Sequence, residues 1–181
     1  MDAATHLFGD KGYRATTMRD IASEVGVLAG SLYAHIDSKE SLLLEIVTDA
    51  FEPFVRLADY LEQSSEAPDV RLRTAIEEHV RAVADSRERT LVVLHQWRYL
   101  TGAQYTRIVA MRRRYEDAFS ATLEEGVASG IFGPLDVRIA TFTILGVLNW
   151  VPEWFSSKGP QTVDEVAHGL ADTLLLGLLR R

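Results

Sequence analysis

TTMRDIASEVGVLAGSLYAHIDSKESLLLEIV, residues 16–47, holds two short helical patterns split by a glycine, with a third beginning at once. Met18, Ile21, Ala22 and Val25 recur at i, i+3, i+4 and i+7, which is one face of a helix. Thr16 or Thr17 can cap its start, because a hydroxyl accepts a bond from a first-turn N–H that has no partner within the helix. Gly26 follows the last periodic residue, where a left-handed backbone stops a helix. Val27 to about His35 reads as a second short helix with Val27 and Leu32 inward. Two such helices around a tight turn make a helix-turn-helix, whose second helix enters the DNA major groove. Asp37 as N-cap would place Glu40 at the third helical position and close a capping box at the next helix.

Outward from this stretch the chain reads as helical throughout. Ala4, Leu7 and Phe8 point inward from a helix that Gly12 ends. A long helix runs from Lys39 to about Gln63, with a bend expected near Pro53, which removes one backbone bond. Further helices are expected over 70–86, with Leu72, Ala75, Ile76, His79, Val80 and Val83 inward, and over 89–100 (stopped by Gly102), 104–129, 137–155 and 163–179. Pro152 should kink the eighth. The total is about nine helices, an all-α fold, divided into a DNA-binding domain at 1–45 and a ligand-binding and dimerisation domain at 46–181.

Stretch 16–47 resembles the TetR family of bacterial one-component repressors. The matching residues are TTMRDIA (16–22), the Gly26–Val27 turn, G-S-L-Y-x-H (30–35) and S-K-E-x-L-L (38–43), preceded by L-F-x-x-x-G-Y (7–13). Leu28, Ala34 and Ile36 depart from the family's usual residues. The resemblance implies that the first helix begins upstream of residue 1, with a basic arm. It also implies DNA contacts from Leu28, Ala29, Gly30 and Ser31 at the start of the recognition helix. Backbone phosphates would be held by Thr17, Arg19, Tyr33, His35 and Lys39. Only Ser31 offers a polar group to the bases, so DNA shape is expected to carry part of the specificity.

Composition sets the outer limits. The chain has 181 residues, 47% of them hydrophobic and 25% charged, as in an ordinary globular protein. Its net charge is −7, and residues 1–50 hold four Lys/Arg against eight Asp/Glu, which argues mildly against a nucleic-acid binder. There is no cysteine, hence no disulfide and no thiolate ligand or nucleophile. The longest apolar stretch, 139–152, is short for a bilayer and contains Asn149, and no leader is recognisable at the N-terminus. A cytoplasmic protein without a membrane partner is expected.

The larger domain should hold a small hydrophobic ligand. Polar groups expected on inward stripes are His95, Arg98, Tyr115 and Asn149, completed by Met111, Arg112, Phe119 and Leu145. The competing reading of each lone polar residue is a satisfied member of the core. His95 has Arg98 and Tyr99 at i+3 and i+4, so no metal is expected, and no cofactor. Arg112-Arg113-Arg114 reads either as a site for a phosphorylated ligand, such as the nucleotide part of coenzyme A, or as a solvated face. L-N-W-x-x-x-W-F (148–155), K-G-P (158–160) and T-x-x-E-V (162–166) resemble the branch of the family that controls fatty-acid or steroid breakdown and answers acyl-CoA thioesters. Glu153 stands where that branch often has a basic residue.

The last two helices carry much apolar surface. Leu148, Val151, Trp154, Phe155, Val166, Leu170, Leu174 and Leu178 are expected to bury against a second copy. The resemblance implies a four-helix bundle across the dimer axis. A two-fold dimer also sets two recognition helices ~34–36 Å apart on a palindromic operator. The alternative is that these side chains fill an intramolecular core. The function expected is a ligand-responsive repressor. A multidrug-type sensor and a ligand-independent DNA-binding protein are the alternatives. No H-E-x-x-H, G-x-S-x-G or P-loop supports an enzyme.

Overall fold

The computed structural model describes residues 1–179. Nine α-helices follow one another among the described residues. They are α1 (Asp2–Asp10), α2 (Met18–Val25), α3 (Ala29–Tyr33), α4 (Lys39–Gln63) and α5 (Pro68–Asp85), then α6 (Arg87–Gln96), α7 (Gly102–Ala128), α8 (Val137–Trp154) and α9 (Val163–Leu176). A single 3₁₀ turn, Trp97–Tyr99, extends α6, and one isolated antiparallel bridge joins Phe132 to Leu179. No helix among the described residues is long and apolar enough to cross a membrane.

The helices gather into two compact units. The first comprises 1–52 with 86–110, the second 53–85 with the chain from Met111 onward. In the first unit the inward stripe of α2, Met18, Ile21 and Ala22, is buried, as are Leu7 and Phe8 of α1 and Leu43, Ile46 and Val47 of α4. Each large side chain withdrawn from water contributes about 1.5–3 kcal/mol, enough to hold short helices that would not persist alone. Thr17 and Asp20 form a reciprocal cap at the start of α2. The Asp20 N–H donates to the Thr17 hydroxyl (3.2 Å), and the Thr17 N–H and O–H donate to the Asp20 carboxylate (2.7 and 2.6 Å). Those bonds hold the Asp20 carboxyl below its usual pKa. Gly26, at φ 76°, ends the helix in the left-handed region that side chains avoid.

Several local expectations are corrected. The recognition helix is only five residues long, and Val27 is 42% exposed because it precedes that helix and lies in the turn. The cap of α4 is built by Ser38 and Ser41, not Asp37 and Glu40. The Ser41 N–H donates to the Ser38 hydroxyl (3.0 Å), and the Ser38 N–H to the Ser41 hydroxyl (3.1 Å). Glu40 is used elsewhere, accepting from the N–H and hydroxyl of Thr101 (2.7 and 3.0 Å). Gly102 opens α7, at φ 53°, rather than closing α6, which tightens into the 3₁₀ turn. Pro53 and Pro152, by contrast, fall inside α4 and α8, the helices in which the sequence placed them.

In the second unit α5 supplies the spine. Leu72, Ala75, Ile76, His79, Val80 and Val83 are all buried, the spacing read from sequence. Against them pack the inner faces of α7, α8 and α9 and the C-terminal part of α4. Arg71, also buried, donates to the last-turn carbonyl of Leu61 (2.9 Å) and pairs with Glu125. It thereby satisfies an α4 carbonyl that has no partner within the helix.

Candidate functional site

Two regions are candidates for a functional site, one in each unit. The first is the exposed surface of the helix-turn-helix. Leu32 is the only buried residue of α3 and anchors it. Gly30, Ser31, Tyr33 and His35 are exposed, Ala29 is half-buried, and Leu28 is 80% exposed. Gly30 sits inside a helix, where glycine is about 1 kcal/mol less favourable than alanine. A Cβ there would meet no protein atom within 4 Å. Among the described residues nothing stands in the way of a side chain at that position.

The cations around this surface are few. Arg19 is exposed on α2. Lys39 is half-buried, with Nζ 2.7 Å from the carbonyls of both Tyr13 and Thr16 and 4.3 Å above the Tyr13 ring. Burial lowers its pKa. Two of its three N–H bonds therefore tie down the loop before α2, and one remains for an outside acceptor. Thr17 spends its hydroxyl hydrogen and its amide on Asp20, so it acts by fixing the start of α2.

The second region is an aromatic cluster in the interior of the other unit. His79 of α5 is 1% exposed, and its Nδ1 lies 2.8 Å from the Tyr115 hydroxyl of α7. Phe54 packs on His79 with ring centres 4.8 Å apart, and Phe119 meets Tyr115 edge-on at 5.1 Å. Burial drives the imidazole pKa down to about 3 and raises that of the Tyr115 phenol, so both are neutral at physiological pH. His79 Nε2 is buried and has no hydrogen-bond partner among the described residues.

Of the residues expected to bind ligand, Tyr115, Phe119 and Leu145 are buried in this unit, and Met111, Arg112 and Asn149 are half-buried in it. His95 and Arg98 are corrected. They belong to the other unit, are exposed rather than inward, and Arg98 lies over the Trp97 ring at 5.2 Å. Of the arginine run, Arg114 is paired with Asp59 and Glu62 on α4, and Arg113 is exposed. Sequence reading placed His79 inward but took it as core. The missing second partner, which marks it, exists only in three dimensions.

The outer face of α8 and α9 also differs from expectation. Leu148, Val151, Phe155 and Val166 fill the unit's own core, and Leu170, Leu174 and Leu178 pack half-buried against it. The exposed apolar face is Ile139, Phe142, Trp150 and Trp154 of α8, with Leu176 of α9; Trp150 is 62% and Leu176 70% exposed. A helix apolar on most of its circumference has two stripes, and spacing alone does not say which one faces the core.

Residues 1–46 match the model of bacterial regulatory proteins of the tetR family, and 65–178 match the tetracyclin repressor-like C-terminal domain. The chain belongs to the TetR family. The HTH-type transcriptional repressor KstR2 of Rhodococcus jostii is 32% identical over 98% of this chain and 88% of its own length. The crystal structure of the TetR-family regulator PfmR of Thermus thermophilus superposes with a TM-score of 0.86 at 33% identity, covering 99% of this chain and 98% of PfmR. The structure of AibR in complex with isovaleryl coenzyme A and operator DNA superposes at 0.85 and 27% identity, covering 96% and 94%. This TetR-family chain is accordingly a DNA-binding transcriptional repressor of the ligand-responsive type.

Proposed function

We propose that the protein represses transcription as a cytoplasmic homodimer on a palindromic operator, and that an acyl coenzyme A thioester releases it. Residues 1–45 read DNA, and 46–181 bind ligand and dimerise. Support for the DNA face comes from Gly30, whose open position lets the sugar–phosphate backbone approach α3 closely. Around it Leu28 and Ala29 meet thymine methyls, Ser31 meets a base edge, and Tyr33, His35, Arg19 and the third N–H of Lys39 meet phosphates. The observation that carries the ligand class is the likeness to AibR, which holds isovaleryl coenzyme A. Ligand uptake would favour an arrangement of recognition helices that no longer fits half-site spacing, and no catalytic step is involved.

The experiment is an operator-binding titration. Fluorescence anisotropy on the DNA upstream of the protein's own gene should show tight, sequence-dependent binding. Isovaleryl- or octanoyl-CoA should release it, while the free acids and a panel of neutral hydrophobic drugs should not. Release by the drugs alone would replace the acyl-CoA reading with a multidrug sensor. DNA binding that no compound alters would favour a ligand-independent binder.

A further inference from the structure

The His79–Tyr115 pair carries more hydrogens than it can use. A neutral imidazole has one N–H and a phenol one O–H, so the pair owns two donors and shares one bond. If the Tyr115 O–H donates to Nδ1, the proton on Nε2 is left over. If Nδ1–H donates instead, the phenol hydrogen is left over. Among the described residues Nε2 has no partner, and Nδ1 is the hydroxyl's one partner, so one buried donor remains unsatisfied either way. Buried donors are nearly always satisfied in native proteins, and an ordered water, an ion or a ligand can supply the partner that the chain does not. Such a site suits an acceptor that brings no hydrogen of its own. It does not suit a carboxylate, because no cation is bonded to the pair and burial opposes the imidazolium that would balance one.

We propose that His79, held by Tyr115, is the residue that reads the ligand's carbonyl: Nε2–H donates to the thioester oxygen of an acyl-CoA, while the rings of Phe54 and Phe119 flank the acyl chain. Tyr115 is a positioning residue, since its O–H to Nδ1 bond selects the tautomer that puts the proton on Nε2. The inference rests on the reading of this domain as an acyl-CoA sensor and supplies the basis on which it tells a thioester from the free acid.

The test compares octanoyl-CoA with S-octyl-CoA, the thioether in which the carbonyl is replaced by a methylene, by calorimetry on the full chain. The wild type should bind the thioester about tenfold or more tighter, the effect of one buried hydrogen bond. His79→Phe should erase the preference by weakening the thioester alone, and His79→Gln, which keeps a donor, should restore part of it. In ¹⁵N-histidine-labelled protein the His79 Nε2–H resonance should move downfield with octanoyl-CoA and stay with the thioether. The NMR readout and His79→Gln serve if His79→Phe does not fold. Equal binding of the two compounds by the wild type, or an unchanged preference in His79→Phe, overturns the inference and leaves the acyl-CoA reading standing. Binding of neither compound overturns both.

Discussion

At the scale of single residues, Gly30 and His79 are each less stable than the fold alone requires. Gly30 gives up helix propensity with no neighbour demanding it. Gly30→Ala should therefore raise unfolding stability by about 0.5–1 kcal/mol in urea titrations while weakening operator binding. A variant that loses stability, or keeps full affinity, would remove Gly30 from the DNA face. His79 adds a pH dependence. Its pKa falls from 6.5 in the unfolded chain to about 3 in the fold, because burial disfavours the cation. Between those values the unfolded state binds one more proton. Stability is thus fully present above pH 6.5 and declines as pH drops toward 3, by roughly 1.4 kcal/mol per unit. Melting curves of His79→Gln between pH 6.5 and 4.5 should be flatter than those of the wild type by that slope.

At the scale of elements, the joins between helices decide what is rigid. Lys39 at the start of α4 clamps two carbonyls of the loop before α2, so the helix-turn-helix is braced from below by a charge that composition counts simply as a DNA-binding cation. Near the end of α7, the ring of fully buried Phe132 lies directly over Gly126, and a Cβ there would come within 2.1 Å of it. The same loop is tied to the segment that follows α9 by the Gly133 N–H donating to the Leu178 carbonyl (2.9 Å). Gly126→Ala should displace Phe132 and destabilise the chain by about 1–3 kcal/mol, an overpacking cost. Phe132→Ala in the same background should relieve the clash, so the two changes together should cost less than their sum. Additive effects by chemical denaturation would mean the glycine matters for another reason.

At the scale of the whole molecule, the homodimer proposed above would cover large apolar side chains that α8 and α9 leave exposed. Ile139, Phe142, Trp150, Trp154 and Leu176 form a patch of the kind that isologous dimers pair. Phe142→Glu with Trp150→Glu should give a monomer by sedimentation velocity, with the helical content kept and operator affinity sharply reduced. Leu148→Ala, by contrast, should lower stability and leave the association state unchanged, because Leu148 is fully buried in its own chain. The scarcity of cations also has a molecular consequence. With two cations, Arg19 and Lys39, on phosphates at each half-site, the slope of log affinity against log salt should be no steeper than about −4. A steeper slope would show cations not counted here.

Local periodicity and capping were legible because each depends on residues a few positions apart. The α2 stripe, the glycine stop at 26, the α5 spine and the helix-turn-helix motif could all be read from spacing, and with them the family. What only the tertiary structure decided depends on residues brought together from distant parts of the chain. Ser41 rather than Glu40 caps α4, because Thr101 claims Glu40. His95 and Arg98 turn outward because α6 tightens into a 3₁₀ turn and joins the other unit. α8 buries Leu148 and Val151 and leaves Phe142 and Trp150 in water because both stripes are apolar and only the packing of α5 and α9 chooses between them. His79 is distinguished from a satisfied core histidine by a single bond that Tyr115, 36 positions away, makes and no other described residue completes.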